Sequence, residues 1–477
     1  MPKEFIVAIE LGSSKIAGIA GQRNLDGSIN VLAMVKEDTT SCVKRGVVYN
    51  IDKTVQCLNS VITKLQNTLQ TRIDRVFVGA GGMSLRSVRN NINKEFQPET
   101  IVTQDIVNEL SDTNRTMSYP NQEILDAVVQ EYKVDSQFQT DPVGIQCKKL
   151  EGNFLNILWR ENYYNNLRKC FDNAGIAIAD IFISPMALAD SVLTDSEKRL
   201  GCALIDMGAE TTTVAVFSKN MLRHLSVVPL GGSNITKDIA SLQIEDKEAE
   251  SIKLKYASAY TDLQDIDENR TISTSSIGSL KAATLINYVE ARQQEIIVNA
   301  LNQIPEEFRD KLNGGIILTG GASKIKNIER AFREHKVDKI RTAKFVQQTI
   351  HSSNADINAH DGSYNTLLSL LAKGNMNCAG QKISNNLFGD DAGQTPNSVS
   401  FQVDGRSGKS APAEDGKAQN GNAAAVKPKA PANDKKPEKD SDVNKGNDNE
   451  PKKQKEGMFS KMGHKLKDFL TGITAEE

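Results

Sequence analysis

Up to about Gly380, short runs of β-branched and apolar residues alternate with longer stretches of helical period. Residues 5–10 and 15–21 predict a hairpin, with a third strand near 30–35. Residues 54–69 carry a helical stripe, and 75–78 predict a strand that ends in Gly79-Ala80-Gly81-Gly82. The stretch 83–160 is polar and mixed and fits a small inserted subdomain. A helix near 165–174, a strand at 178–183 and a helix opened by Ser184-Pro185 follow. The strand and hairpin theme then returns at 202–206, 212–217 and 222–228. Helical patterns cover 233–242, 247–256 and 283–301, before a strand at 315–319 and a helix at 325–334. The class is α/β, and the strand segments come as two similar sets.

The two sets share one grammar. Ile6-Val-Ala-Ile-Glu-Leu-Gly-Ser-Ser-Lys15 and Ala203-Leu-Ile-Asp-Met-Gly-Ala-Glu-Thr-Thr-Thr213 each run from an apolar strand through an acid to a glycine turn, hydroxyl residues and a second strand. A tight glycine turn presents backbone N–H groups to phosphate oxygens. Hydroxyls add donors, and a carboxylate holds a hydrated divalent cation. One such hairpin is weak evidence, because strand–acid–glycine turns are usually structural. Two of them, with Gly320-Gly321 after a strand, point to a polyphosphate clamp.

With these motifs the chain resembles the ATPase superfamily of actin, the heat-shock chaperones and the sugar kinases. Gly315-Ile-Ile-Leu-Thr-Gly-Gly-Ala-Ser323 resembles its adenosine motif, and Ala249-Glu-Ser-Ile-Lys253 its Glu-x-x-Lys helix. Leu193-Thr-Asp-Ser-Glu-Lys-Arg-Leu-Gly201 and Val289-Glu-Ala-Arg-Gln-Gln-Glu-Ile296 are similar to runs of the FtsA family of bacterial division proteins. The resemblance covers about residues 3 to 374.

It implies an actin-like two-lobed ATPase fold of ribonuclease-H-like repeats with an FtsA-type inserted subdomain. The expected divisions are 1–82 with 161–196 (first lobe), 83–160 (inserted subdomain), 197–241 with 314–380 (second lobe) and 242–313 (its smaller subdomain). ATP is expected against Gly12, Ser13, Ser14, Lys15, Gly208, Thr211, Thr212, Gly232, Glu250, Lys253, Gly320, Gly321 and Ala322. Glu10 and Asp206 are expected to hold Mg²⁺ through water and to carry any catalysis. The resemblance also implies filaments of the chain itself and recruitment of the tubulin-like protein FtsZ. The FtsZ C-terminal peptide would dock near Arg292; the plainer reading is a solvated arginine paired with Glu295 or Glu290.

Four positions depart from the family pattern. Glu10 stands where most members have Asp, and Glu210 where the second loop usually has Gly. A carboxylate at 210 faces the phosphates unless it turns to solvent. Leu367 and Ser369 replace small residues in the last helix. A weak ATPase at most is expected.

Composition then changes the picture at the C-terminal side. Residues 381–456 turn to Asn, Asp, Gly, Lys, Pro and Ala, too poor in apolar surface to offset ordering entropy, and predict a disordered linker. Residues 457–474 become periodic again. On a helical wheel Met458, Phe459, Met462, Leu466, Phe469, Leu470 and Ile473 share an arc of about 120°, with Lys461, Lys465 and Lys467 outside it. This describes a helix lying in an anionic membrane interface. Docking on its own core or pairing with a partner helix is the plainer alternative, but a linker of roughly 75 residues reaches about 50 Å, more than self-docking needs. The expected place is the cytoplasmic side of the inner membrane at the division septum, beside other division proteins.

The net charge of −2 gives no overall pull toward nucleic acid, and no basic aromatic face appears. Six scattered cysteines and five histidines form no metal motif, and reduced thiols are expected. The apolar run at residues 5–9 is too short for a signal peptide. A pilus-assembly adaptor of the same fold is the nearest alternative, a sugar-kinase-type phosphotransferase a more distant one. No carboxylate-base motif marks a kinase pocket, and no β-rich domain follows the linker as it would in a chaperone.

Overall fold

The computed structural model describes residues 4–267 and 269–382. The segments 383–456 of the predicted linker and 457–474 of the predicted amphipathic helix, with Met458, Phe459, Met462, Leu466, Phe469, Leu470 and Ile473, lie outside the described residues.

Two sheets repeat one topology. In the first, Ile6–Leu11, Lys15–Arg23 and Ile29–Asp38 form an antiparallel meander, and Arg75–Ala80 then Ala177–Ile183 add in parallel on the other side. In the second, Cys202–Met207, Thr212–Ser218 and Met221–Val228 form the meander, and Gly315–Thr319 then Ile340–Thr342 add in parallel. The central strands are buried on both faces and so read as continuous apolar runs rather than alternation.

The helix Ile51–Leu69 shows how the layers form. Asn50 caps it by accepting the Lys53 N–H at 3.0 Å. Thr54, Leu58, Val61, Ile62 and Leu65 are its buried stripe. It packs closely on the first sheet because Gly18 has no side chain: a Cβ there would lie 2.6 Å from Val61 Cγ1. The predicted start at residue 54 falls one turn late, because the polar cap and first turn carry no apolar period.

The stretch 83–160 forms its own four-stranded sheet, ordered Gln137–Gln139, Gln122–Val134, Gln146–Arg160 and Arg86–Ile101, with helix Gln104–Arg115. Val107, Leu110, Tyr132, Val134, Leu150 and Phe154 make its separate small core. Its long strands look mixed in sequence because most of their residues stay partly exposed.

One boundary is corrected. The tail end of 314–380, assigned by sequence to the second lobe, packs on the first. Strand Ile350–His351 pairs with Ile29–Asp38. Helix Asn365–Lys373 lies against Ser184–Val192, Ile6–Leu11 and Lys15–Arg23. Leu367, Leu370 and Leu371 are buried in the core built around the first sheet. A Leu-rich helix declares that it is buried but not in which lobe. Strand Ala379–Lys382 also pairs with Thr71–Ile73, so the folded part runs past the predicted linker start at 381.

Among the described residues no helix is long and apolar enough to cross a membrane. All six cysteines are free thiols, five of them buried.

Candidate functional site

The two hairpin turns close in the same way. Gly12 N–H donates to the Lys15 carbonyl at 2.9 Å, and Gly208 N–H to the Thr211 carbonyl at 2.8 Å. Each turn thereby leaves the acid of its first strand at the strand end. Glu10 lies opposite Ala17 and Asp206 opposite Thr213.

The two acids feel each other. Burial pushes the Glu10 carboxyl up from 4.5 to about 7, the Asp206 charge adds to the rise, and the Lys15 ammonium opposes it. Burial also lifts Asp206 from 3.8 to about 6, while the Thr366 hydroxyl, 3.5 Å away, acts to lower it. Two crowded, poorly hydrated carboxylates are a place where a divalent cation would relieve repulsion. Among the described residues no group of three or more His, Cys, Asp or Glu forms a cage. The pair therefore fits a hard cation that keeps most of its ligands as water or phosphate oxygen, the habit of Mg²⁺.

Around the acids the glycines are where backbone must pass close. Gly320 sits at φ 88°, and a Cβ there would stand 2.4 Å from Asp206 Oδ1. Gly231 lies under the second turn, where a Cβ would meet the Gly208 and Ala209 carbonyls at 2.5 and 2.7 Å. The amides of Gly232 and Ser233, opening helix Gly232–Ala240, donate to those same carbonyls at 3.0 and 2.7 Å.

A second cluster forms beside this one. A Cβ on Gly232 would lie 3.1 Å from Ala322 Cβ and 3.7 Å from Lys253 Nζ. The Lys253 ammonium donates to the Gly232 carbonyl at 3.1 Å, to Thr236 Oγ1 at 2.9 Å and to Glu250 at 2.6 Å. Gly232, Glu250, Lys253 and Ala322, expected together from the resemblance, are brought together; Gly321 is exposed beside them.

Among the expected phosphate donors the placements differ. The Ser13 hydroxyl accepts the Gly46 N–H at 2.7 Å and keeps its own hydrogen to donate. Ser14 is exposed. Lys15 Nζ rests 3.8 Å from the centre of the Tyr364 ring. Thr211 is half-buried. Thr212 departs from expectation: it is fully buried, and its hydroxyl donates to the Leu230 carbonyl at 2.9 Å, tying the strand to the segment that follows Met221–Val228. In a strand its side chain alternates away from that of Thr211, so only one of the pair can face the cleft.

Arg292 is half-buried and takes a main partner that neither reading named. Its fork is bidentate to Asp238, at 2.5 and 2.9 Å, and it also pairs with Glu295. An incoming carboxylate would have to displace these partners.

Sequence reading missed Thr39, Arg45, Gly46 and Thr366. Thr39 Oγ1 donates to the Gly12 carbonyl at 2.7 Å. Arg45 N–H donates to the Glu210 carboxylate at 2.7 Å. Nothing local marks these residues, which lie far along the chain from the groups they touch. Cavities of about 500 and 750 Å³ lie elsewhere, between the inserted subdomain and the second lobe around Arg89, Arg223 and Glu307, and share no lining residue with the hairpin turns.

Comparison with known proteins agrees with this architecture. The family model "Cell division protein FtsA" matches residues 203–368, and "SHS2 domain inserted in FTSA" matches 82–158. The cell division protein FtsA of Pseudomonas aeruginosa is 31% identical over 330 residues, covering 68% of this chain and 78% of that protein. That of Porphyromonas gingivalis is 28% identical over 354 residues, covering 73% and 74%. Among solved structures, a PilM-PilN type IV pilus biogenesis complex matches with TM-score 0.54 at 15% identity, over 77% of this chain and 97% of that one, a likeness of fold alone. The separate sheet of residues 83–160, the duplicated three-strand meander and these matches agree: the chain belongs to the FtsA family of bacterial cell-division proteins, with an actin-like two-lobed ATPase fold.

Proposed function

We propose that the chain is a nucleotide-dependent membrane adaptor for division, binding ATP between its two hairpins and linking FtsZ to the inner membrane. The observation that carries the reading is the meeting of Glu10 and Asp206, each at the strand end of a matching hairpin, with the Asp206 charge in range of Glu10. Gly320 brings backbone against Asp206, and the Gly12 and Gly208 turns each lie two residues beyond one of the acids.

In this reading Ser13 and Thr211 donate to phosphate oxygens and Lys15 balances their charge. Gly232, Glu250, Lys253, Gly320, Gly321 and Ala322 border the nucleoside. Bound Mg²⁺ would neutralise phosphate charge, held through water by Glu10 and Asp206. Nucleotide acts as a conformational ligand, stabilising the closed lobes and the filament contacts that depend on them. The sequence of 457–474, with its seven apolar residues on one arc and lysines outside it, supplies the lipid anchor. FtsZ peptide binding near Arg292 requires displacement of Asp238.

The test is co-sedimentation of the full chain with anionic vesicles, with and without ATP and Mg²⁺, beside a chain ending at Gly457. Pelleting of the full chain alone, increased by ATP, is expected. Equal pelleting of both, or of neither, would overturn the anchor. An ATP-independent result with no retention of a fluorescent ATP analogue would overturn the nucleotide role.

A further inference from the structure

Glu210 stands at the tip of the second turn, and its carboxylate does not point out to solvent. Its side chain is 22% exposed and accepts the Arg45 N–H at 2.7 Å, with Lys237 Nζ 3.7 Å away. Arg45 belongs to the first lobe, so this bond crosses between the lobes.

The donor amide is held firmly. Arg45 and Gly46 are both left-handed, at φ 51° and 72°, and Gly46 presses on Gly82, where a Cβ on Gly46 would lie 2.6 Å from Gly82 Cα. Their successive amides serve two acceptors: Arg45 donates to Glu210, and Gly46 donates to the Ser13 hydroxyl. The carboxylate is thereby fixed one peptide unit from a hydroxyl of the first turn. On the second lobe its own turn is tied to helix Gly232–Ala240 through the Gly232 and Ser233 amides. A fixed negative charge thus lies between the two turns, where a phosphate chain held by both must pass.

We propose that Glu210 is the latch and the selectivity determinant of this cleft. In the nucleotide-free protein it is an internal anion holding the lobes together through Arg45. With nucleotide bound, its charge disfavours a terminal third phosphate, so the cleft holds a nucleoside diphosphate more readily than it would without the carboxylate. The selectivity half rests on the nucleotide reading above; the latch half does not. Lys237 only partly offsets the charge, because its ammonium is mostly solvated.

Two variants separate the parts. Glu210→Gln keeps an acceptor oxygen for Arg45 and removes the charge; Glu210→Gly removes both. Residue 210 is not in the left-handed region, so neither change strains the turn. Residue-resolved hydrogen exchange on the full chain without nucleotide reads the latch. The Arg45 amide should be protected in the unchanged chain and in Glu210→Gln, and should exchange at least tenfold faster in Glu210→Gly. Equal exchange in all three overturns the latch.

Titration with fluorescent ADP and ATP analogues in Mg²⁺ reads the selectivity. Glu210→Gln should tighten ATP about tenfold relative to ADP, the effect of removing one charge from a partly solvated site. An unchanged ratio, or weaker ATP binding as loss of a metal-holding carboxylate would give, overturns it. If no form binds either analogue, the nucleotide reading and the selectivity fail together, while exchange still decides the latch.

Discussion

The two hairpins share a turn and differ in how it is braced. The second is braced by backbone: the Gly232 and Ser233 amides hold its carbonyls, Gly231 lies beneath it, and Gly320 lies against Asp206. The first is braced mainly by side-chain hydroxyls: Thr39 holds the Gly12 carbonyl and Ser13 holds the Gly46 amide, beside one long backbone bond from Thr39 N–H to the Ser14 carbonyl at 3.3 Å. Backbone bracing demands glycine and tolerates no added atom. Side-chain bracing tolerates volume but depends on single polar groups, so the two halves of one clamp should fail in different ways.

The largest expected effect comes from adding a methyl group to the backbone-braced side. Gly320→Ala forces a Cβ to 2.4 Å from both Asp206 Oδ1 and the Met207 carbonyl at a left-handed φ. Strain and overpacking together should cost about 4 kcal/mol. Urea denaturation would show it as a lower midpoint with unchanged slope. A loss under 1 kcal/mol would mean that the second turn yields as easily as the first.

The acids sharpen the comparison, because burial lifts both and a neighbouring carboxylate lifts Glu10 further. Its folded value of about 7 lies above the ordinary 4.5, so the folded state holds a proton that the unfolded chain releases. Stability is therefore full below about pH 4.5 and is lost as the pH rises through 7. Glu10→Gln removes that loss. Without divalent cations the variant should be more stable than the unchanged chain at pH 8, on the order of 2 kcal/mol after allowing for solvent in the cleft, with the gap closing by pH 4.5. Mg²⁺ with ATP should reverse the order at pH 8, since only the unchanged chain keeps both carboxylates. Thermal melts at the two pH values, with and without Mg²⁺–ATP, check both signs.

Much of the paired-hairpin architecture was legible in sequence, and the boundary of legibility is physical. Residues 6–15 and 203–213 announce their turns because acid, glycine and hydroxyls are local and the flanking strands are apolar throughout. Cys202–Met207 and Gly315–Thr319 were placed to within a residue for the same reason. The braces were not legible. Thr39 acts 27 positions from Gly12, and Arg45 lies 165 positions from Glu210. A threonine or a backbone amide carries no mark of a partner so distant. Thr212 was misread because the run of three threonines hides which one alternates inward. Helix Asn365–Lys373 was assigned to the wrong lobe because hydrophobicity specifies burial and not address.

On the side-chain-braced half, Thr39→Val keeps the shape and deletes one donor. Thr39 is fully buried, so the Gly12 carbonyl loses its hydroxyl partner with little chance of water replacing it. About 1.5 kcal/mol is expected, less than for Gly320→Ala. The sharper readout is phosphate-side: ATP-analogue affinity should fall while the melting temperature drops only a few degrees. A melting change without an affinity change would make Thr39 a strut of the lobe and not of the turn.

The smallest effect separates the two acids from each other. Thr366 Oγ1 lies 3.5 Å from Asp206 Oδ2, at the outer limit of a hydrogen bond, and it acts to lower the Asp206 carboxyl. No hydroxyl plays that part at Glu10, where the lowering influence is the Lys15 charge. Thr366→Val should therefore raise the Asp206 titration midpoint by a few tenths of a unit and leave stability within about 0.5 kcal/mol. The Glu10 midpoint should move little, and downward, because a more protonated Asp206 repels it less. Carboxyl ¹³C chemical shifts followed through a pH titration would resolve the two groups. A rise of Glu10 together with Asp206 would show that the Thr366 hydroxyl serves the pair as a unit, and that the two hairpins titrate as one site.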